Sequence, residues 1–289
     1  MRKEILYTTA IDKNGNLIHI DMAENGMNYY CPICKQKFIL RKSGKTGKGS
    51  RRAHFSHNEL SPNCTPEGVL HYSFKKMLIS LLGKYKAENK PLIFNWGCHS
   101  CNYKNTGNLL GKVALIKSEC YLGQFRPDIA LLDEEENVLA VIELVVTHKP
   151  EESVLQYYKE RKIILVQINL TSEEDLKNVE NKIKKPDIVD LCLSTECQNR
   201  DEYKINRNVV VSPLKCGRCL GILPKFEVQI DSAFGRQLSR DFAEDEISLV
   251  KSKYSYIEVR KDPATGKRHP IAECMSCKMM RSRYSSPRL

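Results

Sequence analysis

The sequence predicts an α/β protein whose core carries a mixed sheet, flanked by small zinc-binding modules. Three observations carry that expectation. Between residues 65 and 170 a helix-patterned segment, three strand-like segments, a second helix and one more apolar strand follow one another, the order of an α/β layer rather than of an all-β or all-α chain. Twelve cysteines include four Cys-x-x-Cys pairs, which a reduced chain uses for metal rather than for disulfides. The 289 residues are 41% hydrophobic and 28% charged, enough apolar material for a packed core. Texture divides the chain into a β-rich zinc-knuckle region at 1–64, an α/β core at 65–190, and a zinc-ribbon-like module with a basic tail at 191–289.

The elements follow in order. Residues 4–30 alternate apolar and polar about "DKNGN", the mark of a hairpin turning at Asn-Gly. A Cys-x-x-Cys knuckle and a strand come next, then the loop "SGKTGKGSRR". From Cys31 to Asn58 there are eight Lys or Arg and no acid. Clustered cations are what phosphate contacts need, so Lys42, Lys45, Lys48, Arg51 and Arg52 are expected to bind nucleic acid. "TPEGVLHYSFKKMLISLLGKYKAE" reads as a helix, with Thr65 as N-cap, Pro66 in the first position and Glu67 in the first turn. Val69, Leu70, Phe74, Met77, Leu78 and Leu81 form its apolar stripe. Glu67, His71 and Lys75 recur at i, i+4 and i+8, either a solvated face or a line pointing into a site. After "FNWGCHSCNYKN" come the strands within "KVALIKSECYLG", "QFRPDIALLD" and "VLAVIELVVTH". The helix "KPEESVLQYYKERK", the strand "IILVQINL" and the helix "SEEDLKNVENKIKK" complete the core.

A net charge of +11 favours a polyanionic partner. No run approaches the ~20 apolar residues of a membrane span, and the N-terminus lacks the apolar stretch of a secretory signal. The expectation is a cytoplasmic or other reducing compartment. Oligomeric state is not readable.

The cysteines fall into three candidate zinc sites, because thiolate and imidazole are the usual zinc ligands. Cys31 and Cys34 have three possible companions, His54, His57 and Cys64. If "HFSH" is extended, its two histidines face opposite ways, and His57 with Cys64 would complete the site. Cys216, Cys219, Cys274 and Cys277 form a four-thiolate set. Cys98 and Cys101 lack a nearby pair, and Cys192 and Cys197 are the cysteines left to join them. Cys120 remains over, suited to a small buried role. Four protein ligands close a zinc to chemistry, so these sites predict support and interaction surfaces.

Chemistry is expected instead at Asp128 and Glu143, carboxylates set inside apolar strand segments. A buried charge must be paired or hold a metal. Two carboxylates on consecutive strands suit Mg²⁺ or Mn²⁺, and Glu67 or His71 on the first core helix can face the same place.

The series CPIC, HFSH, Cys64, "PEGVLHYSFK", "RPDIAL" and "IELVVTH" resembles the competence protein CoiA-like family over roughly residues 5–170. The resemblance implies an N-terminal zinc knuckle joined to a nuclease domain of the PD-(D/E)XK class, related to restriction endonucleases. It implies Asp128 and Glu143 as acids for catalytic magnesium or manganese, Glu67 as an additional acid, and His71 at the family's histidine. The implied activity is hydrolysis of DNA phosphodiester bonds, as endonuclease or exonuclease, in DNA processing, recombination or defence. One departure stands out: the Glu-x-Lys of the class reads Glu143-Leu144-Val145. Candidates for a relocated lysine are Lys149, Lys159 and Lys75, Gln156 is another polar candidate, and Thr147 or His148 can stand at the rim. RNA is not excluded as substrate. Two other readings compete: a zinc-containing nucleic-acid-binding adaptor without activity, and a protein-interaction scaffold.

Overall fold

Aspartates close the first turn and a later one in the same manner. Asp12 Oδ1 accepts the backbone N–H groups of Asn14 and Asn16 at 2.8 and 2.9 Å, with Gly15 at φ +84°. This turn joins β1 (Thr9–Ile11) to β2 (Leu17–His19). A computed structural model of the chain describes residues 5–42, 52–59, 64–98, 100–194, 197, 205–262 and 266–278. Lys45, Lys48, Arg51 and the basic tail lie outside the described residues. The chain divides into two compact units, 1–97 with 108–190, and 98–107 with 191–289.

In the first unit β3 (Tyr29–Tyr30), β4 (Lys37–Arg41) and β5 (His54–His57) extend the hairpin into a five-stranded sheet ordered β2-β1-β3-β4-β5. Its inner face buries Tyr29, Phe38 and Phe55 around Cys31 and Cys64. Helix α1 (Pro66–Ala87) begins as the sequence predicts, with the Gly68 N–H bonded to Thr65 Oγ1 at 3.1 Å. Val69, Leu70, Phe74 and Leu78 are buried, but so are Ser73, Leu82, Tyr85 and Lys75, while Met77 and Leu81 are only half-buried. The stripe is thus rotated toward a polar line because Lys75 has carboxylates to meet.

Strand β6 (Ile93–Gly97) leads the chain out of the first unit and β7 (Lys104–Asn108) leads it back. Strands β8 (Leu115–Ser118), β9 (Ile129–Leu132) and β10 (Val138–Val145) form an antiparallel meander. Asp133 caps the β9–β10 turn through the N–H groups of Glu135 and Asn137. Helix α2 (Glu152–Glu160) then crosses over, and β11 (Ile164–Asn169) returns parallel to β10. The expected last helix is two pieces, a 3-10 segment at Glu173–Asn178 and α3 (Val179–Lys184). Asp175 Oδ2 takes the N–H groups of Thr171 and Ser172, holding the first turn tight. Strand β12 (Ile188–Val189) completes the mixed sheet, ordered β12-β11-β10-β9-β8.

In the second unit β13 (Asn206–Lys215), β14 (Ile222–Ser232) and β15 (Gly235–Ser239) form a meander. Strand β14 buries Phe226, Val228 and Ile230 at alternate positions. Helix α4 (Glu244–Lys253) precedes the hairpin of β16 (Ile257–Lys261) and β17 (Arg268–Ala272). Arg207 ties sheet to helix through a two-point contact with Glu246, at 2.8 and 3.0 Å.

Candidate metal centres and a carboxylate site

Three clusters of four donors can each hold a metal ion. They are Cys31, Cys34, His57 and Cys64; Cys98, Cys101, Cys192 and Cys197; and Cys216, Cys219, Cys274 and Cys277, with the donor atoms of each within 4.8 Å of one another. Sulfurs around a tetrahedral zinc at ~2.3 Å stand about 3.8 Å apart. The Sγ–Sγ distances are 3.6 Å for Cys98–Cys197 and Cys101–Cys192, 3.7 Å for Cys216–Cys277 and 3.5 Å for Cys219–Cys274. A disulfide needs ~2.05 Å, and all twelve cysteines are free. The donor chemistry and spacing fit zinc.

At the first cluster Cys31 and Cys64 lie 3.2 Å apart, and Cys34 Sγ lies 3.2 Å from His57 Nε2. Phe38 and Tyr7 clamp the His57 ring edge-on, with centroids at 4.6 and 5.0 Å. The other histidine of β5 turns away, its Nδ1 2.8 Å from the Arg52 carbonyl oxygen. His54 is therefore the fifth candidate that drops out, as strand alternation requires.

All four Cys-x-x-Cys segments share one backbone form. The residue just after each pair has a left-handed φ: Lys35 at +62°, Asn102 at +54°, Leu220 at +60° and Lys278 at +58°. Each donates its N–H to the carbonyl of the first cysteine, at 3.0, 3.0, 3.0 and 2.7 Å. The turn leaves further N–H groups aimed at sulfur. Those of Cys219 and Arg218 pull the Cys216 thiol down to about 6. Burial pushes Cys98 up, but the N–H groups of Ser100 and Cys101 outweigh it and bring it to about 7.

The second kind of site lies in the first unit, where α1 meets the β9–β10 pair. Asp128 stands just before β9, with its side chain 14% exposed. Its Oδ2 is 2.9 Å from His71 Nε2 and accepts the Leu144 N–H at 3.0 Å. Its Oδ1 accepts from Lys75 Nζ at 3.3 Å. Burial alone would raise this carboxyl, but His71, the Leu144 N–H and Lys75 outweigh it and hold Asp128 below the ordinary carboxylate range. Glu143, one register step beyond the last β9–β10 pair, has the opposite fate. Burial and the neighbouring Asp128 charge push it up to about 7, although Tyr158 of α2 donates to its Oε1 at 2.6 Å. Two carboxylates with pKa values driven apart mark a candidate functional site.

Of the residues predicted for this site, His71, Asp128 and Glu143 come together. Glu67 is half-buried one turn before His71, and among the described residues no hydrogen bond links it to the pair. Lys149 is exposed at the rim of a concavity of about 220 Å³ that reaches Glu143. Gln156 donates to Glu160 on the exposed face of α2. Val145 is buried. Lys75 is the lysine that reaches the carboxylates, contacting Glu119 as well as Asp128. Sequence reasoning missed Glu119 and Tyr158. Glu119 has φ +51° and donates its N–H to the Asp128 carbonyl at 3.1 Å, while its carboxylate also engages Arg126. Nothing in the spacing of "KSEC" signals that turn; the second tyrosine of "ESVLQYYKE" was the visible hint of Tyr158. Of the expected phosphate-binding cations within the described residues, Arg52 donates to Glu173 at 3.4 Å, and Lys42 is exposed.

A scan of protein-family models finds no match to this chain, and searches of curated proteins and of solved structures find none.

Proposed function

We propose that this chain is a metal-dependent nuclease that hydrolyses DNA phosphodiester bonds, with a core of the PD-(D/E)XK class, similar to the competence protein CoiA-like family. One observation carries the reading: Asp128 and Glu143, from adjacent antiparallel strands, sit together beside His71 and Lys75 of α1. The order α1, β8, β9, β10, α2, β11, with β11 parallel to β10, supports it, since this helix–three-strand–helix–strand series is what the class would have.

The donor set suits a hard cation. Both candidate ligands are carboxylates, and a divalent ion held by them would offset the burial and the Asp128 repulsion that lift Glu143. Bound there, Mg²⁺ or Mn²⁺ would supply Lewis acidity toward a phosphate oxygen and an activated water. The chain's own groups do the rest. Lys75 carries positive charge to the place where negative charge develops, the task Val145 cannot perform. His71 orients Asp128 through Oδ2, and Tyr158 orients Glu143 through Oε1. Lys149 and Arg126 at the rim can meet the flanking phosphates. The zinc clusters and Lys42 would add backbone grip without base readout.

The test is cleavage of linear duplex, single-stranded and branched DNA, with an RNA strand alongside, in Mg²⁺, Mn²⁺ or chelator matched to spare zinc. Asp128→Asn and Glu143→Gln, verified to hold zinc, should each lose at least about a hundredfold in rate. No cleavage by zinc-loaded wild type on any substrate would sink the proposal. The buried Val145 favours one alternative, a DNA-binding adaptor without activity. That protein would bind DNA with a steep salt dependence and cut nothing.

A further inference from the structure

Beside the carboxylates the surface alternates aromatic rings with guanidinium groups. Tyr121 is 73% exposed, and the Arg126 guanidinium lies 5.5 Å from its ring centre. Phe125 stands edge-on to Tyr157 at 4.9 Å, and the Arg161 guanidinium covers Tyr157 at 4.7 Å. The loop that presents them is built rather than slack. Leu122 and Phe125 exchange backbone hydrogen bonds at 2.8 and 3.2 Å. Gly123, at φ +64°, lets Tyr157 approach so closely that a Cβ there would sit 3.3 Å from the phenol oxygen. Phe125 and Arg126 also line the concavity of about 220 Å³ that Glu143, Lys149, Val154 and Tyr158 share. That is less than the ~300–1,000 Å³ of drug-sized pockets, suited to one base or sugar.

We propose that Tyr121, Phe125 and Tyr157, with Arg126 and Arg161, form a stacking surface for unpaired nucleotides that feeds a DNA single strand into the concavity beside Glu143. The inference rests on the nuclease reading and names its substrate class. A duplex hides its base faces and offers phosphates, for which lysine and arginine alone suffice. Tyr157 also packs against the core cluster of Ala130, Leu132 and Tyr158, but the exposed Tyr121 face can stack only on unstacked bases, and rings interleaved with guanidinium groups are how proteins hold single strands without sequence preference. The cationic rim and the net charge of +11 complement the same polyanion.

The experiment is fluorescence anisotropy on the full zinc-loaded chain, with Ca²⁺ replacing Mg²⁺ so that binding is read without cleavage. The probes are a labelled thymidine oligonucleotide, a blunt duplex of equal length and the matching RNA. The single DNA strand should bind more tightly than the duplex. Tyr121→Ala should weaken it about tenfold and leave duplex affinity unchanged, while Tyr121→Phe should keep wild-type affinity. Equal binding of strand and duplex, no effect of Tyr121→Ala, or loss in Tyr121→Phe as large as in Tyr121→Ala would each overturn the stacking surface. Tighter binding of RNA would overturn the DNA assignment. Because anisotropy needs no turnover, these failures stand apart from a failure of the cleavage test, which would overturn the nuclease reading itself.

Discussion

Lys75 bridges two carboxylates from a helix, at a position 8% exposed, and a charge so placed is held there by what it does for its partners. If the chain is the nuclease proposed above, Lys75→Met should lower cleavage by about a hundredfold or more, the loss typical of removing one transition-state donor. Adding Val145→Lys to that variant should restore part of the rate; a double variant no faster than Lys75→Met would show that Lys75 does not fill the vacant slot of the strand motif. Glu143 makes a prediction about stability. Its carboxyl rises from 4.5 to about 7 on folding. The folded protein therefore binds this proton more tightly than the unfolded chain. The stabilisation is full below pH 4.5 and is lost as pH rises through 7, on the order of 3 kcal/mol at ~1.4 kcal/mol per pH unit. Denaturation of zinc-loaded protein without Mg²⁺ should show that decline between pH 5 and 7, and Glu143→Gln should flatten it. The acids themselves were legible in the sequence, because charge inside an apolar strand is anomalous. Lys75 was legible as one member of a polar line on a helix and as one of several lysines that could replace the one missing after Glu143, but nothing singled it out, since its burial depends on Glu119. Glu119 depends in turn on a left-handed turn that no residue type there demands.

Among the elements, the four cysteine knuckles repeat one turn, and the residue that must adopt left-handed φ is lysine in two of them, asparagine in one and leucine in one. Asn102 suits that conformation, whereas Leu220 does not and is 72% exposed. Non-glycine residues there cost ~1–2 kcal/mol. Offset by glycine's greater loss of freedom on folding, Leu220→Gly should gain about 0.5–1 kcal/mol in denaturant melts with zinc present, and Leu220→Val should lose a similar amount. The knuckles were visible from spacing, and so were α1 and the β8–β11 order, from capping residues and apolar runs. The C-terminal meander was not read. Strand β13 alternates exposed and half-buried residues and is apolar on neither face, so its pattern carries little signal. The break of the last core helix into a 3-10 segment and α3 at Asn178 and Val179 also escaped, because a change of helix type leaves the apolar periodicity almost unaltered.

For the whole molecule, three clusters using eleven cysteines and His57 predict about three zinc ions per chain by elemental analysis. His57→Ala should bring that toward two, while His54→Ala should leave it at three. A full complement in His57→Ala would remove that histidine from the ligand set. Zinc binding energy is folding energy in small modules, so a zinc chelator should unfold the second unit before the mixed sheet of the first. No described helix is long and apolar enough to cross a membrane.

The cysteine spacings also set a timetable for the growing polypeptide on the ribosome. The first site closes within a separation of 33 residues, from Cys31 to Cys64. Cys98 must wait for Cys197, 99 residues on, and Cys101 for Cys192, 91 residues on. During that interval, which spans the entire β8–β12 sheet, two thiols emerge with no partners to share an ion. The middle site is thus the one most open to oxidation or a borrowed metal during synthesis, and the one whose yield should fall first when cells are starved of zinc.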